Sequence, residues 1–234
     1  MSLDLPGNTF PPAGAAAAPG LFIAFEGGDG AGKSTQSRLV VEKLQALGHT
    51  VIPTREPGGT DLGEKIRSLV LDHGHGPVDA RTEALLFAAS RAAHVAQVIR
   101  PALASGGIVV CDRYIDSSAA YQGTGRGLGE EAVLRLNGWA TEGLHPDLTV
   151  LLDVAPSSGR ARNSLRDAVQ GADRLESESE EFHAAIRQAF LHLARAVPER
   201  YLVLDAGLPV EQLHAAILAR VQRLLEQVLP GGAQ

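Results

Sequence analysis

Eight consecutive residues, Gly27-Gly28-Asp29-Gly30-Ala31-Gly32-Lys33-Ser34, form the strongest chemical signal in the chain, a match to G-x-x-x-x-G-K-[ST]. Glycines at this density let successive backbone N–H groups turn inward on a phosphate. A helix starting just after the loop adds unsatisfied N–H groups and its positive dipole end. Lys33 offers a point charge to a phosphoryl group in transfer, and the Ser34 hydroxyl suits Mg2+. A magnesium-side carboxylate is then expected at the end of a neighbouring strand. Asp112 after IVVC and Asp153 after LTVLL both qualify. Asp112 is followed by Arg113, which would bring a carboxylate and a guanidinium to one sheet edge, whereas Asp153 reads equally well as a cap for the next helix.

Such a loop must hang between a strand and a helix, and the flanking sequence supplies both: LFIAFE before it and the amphipathic TQSRLVVEKLQAL after it. Further short apolar or β-branched runs at Thr50–Thr54, Gly107–Asp112, Leu148–Val154 and Tyr201–Asp205 alternate with helical-period stretches such as Ser34–Leu47 and Pro209–Val228. Continuous hydrophobic strands separated by helices predict an α/β fold with a parallel sheet covered on both faces. Leu62, Ile66, Leu69 and Val70 share one face of a helix over Asp61–Leu71, with Asp61 and Glu64 as a capping signal at its start. Ser157–Glu181 is polar and highly charged and reads as an exposed element inserted between helices. Residues 1–20, with four prolines and many small residues, read as a flexible tail without the basic region of a signal peptide.

Length and charge narrow the partners. At 234 residues the prior is one large domain, and 27 acidic against 21 basic side chains give a formal net charge of −6. That balance excludes a protein whose main task is coating nucleic acid. The single cysteine, Cys111, cannot form an internal disulfide and points to a reducing, cytoplasmic setting. No apolar run approaches the roughly 20 residues of a membrane span. His73 and His75 read as loop histidines, Cys111 as a packed thiol and Trp139 as a helix anchor. The basic class is lopsided, with 18 arginines and three lysines.

The loop alone fits a GTPase, a motor ATPase, a regulatory nucleotide-binding subunit or a small-molecule kinase. No Asn is followed by Lys, so the guanine-reading N-K-x-D is absent, and Arg113 stands where a motor ATPase carries a second acid after its strand-end Asp. Several arginines are what a kinase needs to position two anionic substrates. FEGGDGAGKST, TREPGGT, EALLFAASRAAH, CDRYIDSSAAYQG and DRLE occur in the order found in thymidylate kinases, and the chain resembles a bacterial member from about Leu21 to Val228. A kinase for another nucleoside monophosphate or for a deoxynucleoside is the runner-up.

The resemblance implies a P-loop NTPase-type three-layer fold with a five-stranded parallel sheet, a kinase domain over 21–230 and a lid at about 157–176. It implies ATP and dTMP as substrates, Mg2+ as cofactor and a homodimer, with no nucleic acid or membrane partner. ATP would lie on Gly27, Gly28, Asp29, Gly30, Ala31, Gly32, Lys33, Ser34 and Thr35, with Ser34 and Asp112 on the metal. Arg55 and Arg67 would face the acceptor phosphate, although a solvated helix face also explains Arg67, and a cis bond is implied before Pro57. Phe87, Ser90 and Arg91 share a helix face, with Phe87 stacked on thymine and Arg91 on a base carbonyl. Arg113, Ser117, Ser118, Tyr121 and Gln122 would complete the dTMP site, Gln122 offering donor and acceptor to the base and Tyr121 packing against the deoxyribose. Asp29 would stand near the 3′-hydroxyl. Because position 30 is Gly, not the loop arginine of some members, the cations of transfer would come from the lid: Arg166 first, then Arg160 and Arg162, with Arg174 on the closed-lid surface around ATP.

Overall fold

The computed structural model describes residues 20–162 and 173–228. Five strands, β1 (Leu21–Glu26), β2 (Val51–Arg55), β3 (Ile108–Asp112), β4 (Leu148–Asp153) and β5 (Tyr201–Asp205), form one parallel sheet in the order β2-β3-β1-β4-β5. The helices are α1 (Lys33–Ala46), α2 (Asp61–Leu71), α3 (Ala80–His94), α4 (Arg100–Ala104), α5 (Ile115–Ser118), α6 (Glu130–Ala140), α7 (156–162), α8 (Glu180–Ala196) and α9 (Val210–Val228). Each expected strand is present within one residue of its expected bounds.

Side chains alternate across a strand, and β1 shows why every one of its residues is apolar or buried. Leu21, Ile23 and Phe25 pack with Val40 and Leu44 of α1 and Ile217 and Val221 of α9, while Phe22 and Ala24 pack with Val109, Val95 and Ile99 on the opposite face. A third apolar cluster joins Ile66 and Val70 of α2, Phe87 of α3 and Phe190 of α8. The sheet is therefore the middle of three layers. Its strand order reverses between β3 and β1, and ligands of open α/β sheets bind beyond the carboxyl ends of the strands at that point.

Local features depart from the sequence reading in four places. The cap of α2 is Thr60, whose side chain accepts the Gly63 N–H, one residue ahead of the expected Asp61. Trp139, expected to anchor a helix, is 82% exposed on α6 among the described residues. The charged stretch 157–181 is not wholly solvated, since Leu175 is buried and Gly159 packs against the phosphate loop. The helices after α3 and α5 widen into π-helical turns at Val95–Ile99 and Ala119–Gly125, and the second turn carries Tyr121 and Gln122. Such turns recur at functional sites.

Candidate active site

The carboxyl ends of β1, β2 and β3 open onto a cleft of about 680 Å³. Its lining includes the loop 29–35 and Arg55, Arg67, Phe87, Arg113, Ser117, Tyr121 and Gln122. The two expected metal ligands meet, the Ser34 hydroxyl donating to Asp112 Oδ2 at 2.7 Å. Asp153 is committed elsewhere, paired through both oxygens with Arg187 at 2.6 and 2.8 Å, which decides between the two strand-end carboxylates. An all-oxygen donor pair beside a phosphate loop fits Mg2+.

Lys33 folds its ammonium over the loop, donating to the Gly27 and Gly28 carbonyls at 3.0 and 2.9 Å. Arg113 sits at the centre of the cleft with φ 69°, a left-handed conformation that is uncommon for an arginine. Its guanidinium donates to Gly27 O at 3.2 Å and Ser117 Oγ at 3.1 Å, pairs with Asp29, and lies 5.1 Å from the Tyr121 ring centroid. The Tyr121 hydroxyl closes this triad by donating to Asp29 Oδ2 at 3.0 Å. Burial alone would raise the Asp29 carboxyl, but Arg113 and Lys33 outweigh it and hold it down at about 2. Burial, then the nearby Arg113, pushes the Lys33 ammonium down.

At the rim, Arg55 donates to Glu64 at 2.9 Å and Arg67 to the Pro57 carbonyl at 3.0 Å, with the Glu56–Pro57 bond cis. Burial, then the like charge of Arg55, lowers the Arg67 pKa. Two guanidiniums held close enough to disfavour each other mark a place where an anion is welcome.

Three expected site residues turn away from the cleft. Arg91 is 1% exposed, with Nε on Glu56 Oε2 at 2.5 Å and its remaining nitrogens on Ser118 Oγ, Asn137 Oδ1 and Tyr114 O. The buried Glu56 carboxylate requires a paired cation, and Arg91 holds the TREPGG turn by supplying it. Ser118 is its partner, and Ser90 accepts the Gly58 N–H at 3.1 Å, fixing the same turn. The lid arginines divide. Arg162 lines the cleft, whereas Arg160 lines a separate small cavity behind the loop with His183 and Arg187. Arg174 Nε donates to Val70 O at 3.0 Å and its guanidinium pairs with Glu83, which binds it to the end of α2 and the first turn of α3. Arg166 lies outside the described residues. Gln122 gives one amide N–H to Glu83 at 2.8 Å and leaves its Oε1 buried without a partner among the described residues.

Sequence reading missed Glu26, Glu83 and the β5 exit. Leu208 and Val210 are exposed at the cleft mouth, beside Gln36, which donates to Val210 O at 2.9 Å. Glu26, fully buried under the loop, accepts the Tyr114 and Ser117 N–H groups at 2.8 and 3.2 Å and the Ser117 hydroxyl at 2.6 Å. A carboxylate ending an otherwise apolar strand was the available signal. Burial, then neighbouring Asp116, raises Glu26 to about 7 against the opposing pull of Arg113 and these hydrogen bonds. An acid whose folded pKa lies above its unfolded value of 4.5 binds more protons in the folded chain between those pH values, so stability falls as pH rises through that window and levels off above it. The expected loss is on the order of a few kcal/mol between pH 4.5 and 8, and burial raises Asp116 in the same sense. Urea unfolding across that range checks it: Glu26→Gln should flatten the slope, and an equally steep slope in the variant would assign it to other groups.

The comparisons with known proteins agree with this geometry. The family model described as thymidylate kinase matches residues 25–217. The chain is 56% identical over 203 residues to a thymidylate kinase of Leifsonia xyli subsp. xyli, covering 87% of this chain and 95% of the relative. It is 50% identical over 208 residues to that of Cutibacterium acnes, covering 89% and 99%. The crystal structure of a thymidylate kinase from Ehrlichia chaffeensis superposes with a TM-score of 0.70 at 34% identity, covering 87% of this chain and all of that one. The phosphate loop at the β1 exit, the Ser34–Asp112 pair and the arginines lining the same cleft are what a phosphoryl transfer between two nucleotides requires, and the match extends over most of the chain: it belongs to the thymidylate kinase family.

Proposed function

We infer that the chain phosphorylates dTMP to dTDP with ATP, a step toward dTTP for DNA replication, and that the cleft at the β1–β3 edge is where it does so. The observation that supports this most is that one cleft is lined both by the loop 29–35 and by Arg55, Arg67 and Arg113. ATP phosphates lie along the loop N–H groups and Lys33, and the adenine rests against Leu208 and Val210. Ser34 and Asp112 hold Mg2+, which supplies charge compensation to the ATP phosphates.

The attacking group is a dTMP phosphate oxygen. The second pKa of a phosphate monoester is about 6, so the nucleophile is already dianionic at neutral pH and the site needs no general base. The task left to the protein is to hold two anions in line, which Lys33, Arg113 and the cleft-facing lid residue Arg162 do by position and charge. Arg55 and Arg67 receive the acceptor phosphate, Arg55 exchanging its exposed Glu64 partner for it. Phe87, which lines the cleft, stacks on the thymine, and the Gln122 oxygen accepts the thymine N3–H. Asp29 and Tyr121 border the sugar.

Residues 21–230 act as one kinase domain in the cytoplasm, and residues about 157–176 serve as the lid that excludes water during transfer. Exposed Leu62 and Leu69, seven residues apart on α2, with Leu85 on the adjoining α3, offer an apolar face for a second copy of the chain. The test is ADP formation by the full chain with dTMP, dUMP, AMP and thymidine as separate acceptors, on a preparation whose mass is read by sedimentation velocity. dTMP is expected to be the best acceptor, dUMP weaker and thymidine inert, from a species of two chain masses. ATP binding without dTMP-dependent ADP would overturn the assignment, and a single chain mass would remove the dimer.

A further inference from the structure

Glu83, in the first turn of α3, is completely buried, yet it touches neither the phosphate loop nor the arginines of the acceptor phosphate. A buried carboxylate is costly unless each oxygen is paired. Here Oε1 accepts from Gln122 Nε2 at 2.8 Å and from Arg126 Nε at 3.3 Å, and Oε2 pairs with Arg174. The two guanidiniums are themselves held from outside. Arg126 donates to Glu178 at 2.6 Å and lies 5.0 Å from the Phe182 ring centroid, while Arg174 is fixed by the Val70 carbonyl at the end of α2. Glu83 is thus locked in place as a group that can only accept.

That constraint reaches the cleft through one side chain. An amide has a donating and an accepting end, and facing a carboxylate it must turn its NH2 inward. Gln122 does so, which leaves its Oε1 buried, without a protein partner, on a residue that lines the cleft. An orphaned buried acceptor at a binding wall calls for a donor from the ligand. Thymine and uracil carry N3–H, whereas the N3 of cytosine is an acceptor and would meet the oxygen lone pair to lone pair.

We propose that Glu83 is a specificity-determining positioning residue, which fixes the Gln122 amide with its oxygen toward the acceptor base and so selects bases carrying N3–H over cytosine. The inference rests on dTMP being the acceptor, and it concerns a residue that touches no substrate. A glutamine at position 83 keeps the shape but can turn its oxygen to the closer guanidinium of Arg174 and its NH2 to Gln122, giving up only the longer 3.3 Å contact from Arg126 Nε. The Gln122 amide then reverses and presents a donor, which suits the cytosine N3.

The test compares kcat and KM for dTMP, dUMP and dCMP in the full-length wild type, Glu83→Gln, Gln122→Ala and the double variant, at saturating ATP and Mg2+. The dTMP:dCMP ratio of kcat/KM is expected to fall at least about tenfold in Glu83→Gln, within the ~10–100-fold that one matched donor–acceptor pair discriminates. The change should come mainly from KM, with the dTMP:dUMP ratio unchanged, because the 5-methyl group is not read by the amide. Adding Glu83→Gln to Gln122→Ala should shift the dTMP:dCMP ratio no further. A folded Glu83→Gln enzyme with wild-type discrimination, or the same shift in both ratios, would overturn the proposal. If Glu83→Gln does not fold, the Gln122 side-chain amide protons of the wild type decide: slow exchange with solvent in the dTMP complex supports the inward NH2, and fast exchange contradicts it. Wild-type turnover of dTMP is read in the same series, so failure of the substrate assignment is separable from failure of the role of Glu83.

Discussion

Arg113→Ala is expected to lower kcat for dTMP phosphorylation by about 10³–10⁵, the cost of removing a cation that stabilises the transferring phosphoryl group. The magnitude follows from where the guanidinium sits. It spans both halves of the cleft, with Gly27 of the phosphate loop and Asp29 on one side and Ser117 and Tyr121 on the other. Removing it deprives the in-line arrangement of a charge and leaves Asp29 with Lys33, the Tyr121 hydroxyl and His183 to offset burial. Arg113→Lys should recover little, because one ammonium cannot reach Gly27, Ser117 and Asp29 together in the planar fork that the guanidinium provides. Steady-state kinetics with both variants reads the effect. A kcat within tenfold of wild type in Arg113→Ala would show that this arginine only organises the loop.

Gly159→Ala should cost about 10² in kcat, the penalty associated with misplacing reacting groups by about an ångström, although residue 159 belongs to α7 and touches no phosphate. A Cβ at this position would lie 2.3 Å from the Asp29 carbonyl oxygen, and one at Gly30 would lie 2.2 Å from the Gly159 carbonyl oxygen. The tip of the phosphate loop and the stem of the lid are therefore in backbone contact, with no room for a methyl group on either side. Gly30 also has φ 73°, which a side-chain-bearing residue rarely adopts. The alanine variant must displace α7 or the loop tip. Its thermal stability should change much less than its kcat, since the contact lies outside the three apolar clusters. Unchanged kcat in a folded Gly159→Ala protein would show that the lid stem yields without moving the loop.

This contact also gives the glycine at position 30 a physical cause. In sequence it read as the absence of a loop arginine, with cations supplied from the lid instead. In the structure it is the condition for α7 to approach the loop at all, and Arg162 is the lid arginine that α7 brings into the cleft.

What the sequence made legible was whatever depends on local pattern. Continuous apolar runs placed the five strands within one residue, and the glycine–lysine–serine spacing placed the phosphate loop. Ser34 and Asp112 followed, because a strand-end carboxylate next to such a loop has few places to go. Less legible were side-chain partners distant in sequence. Arg91 and Phe87 share a helix face, yet only Phe87 lines the cleft, because Glu56, thirty-five residues away, takes the Arg91 guanidinium. Arg174 sits in a polar, charged stretch that reads as lid surface, but Glu83 and the end of α2 hold it. Trp139 is apolar on a helix and nonetheless 82% exposed, which periodicity within a single chain does not anticipate. The π-helical turn that carries Tyr121 and Gln122 has no short-range sequence signature.

The account stands on phosphoryl transfer between two bound nucleotides in one cleft, and following a label on the γ-phosphate of ATP tests it most directly. With dTMP present, the label is expected in dTDP, with little inorganic phosphate released whether or not dTMP is added. Label appearing in inorganic phosphate at a rate indifferent to dTMP would contradict it and return the chain to the class of simple nucleotide hydrolases.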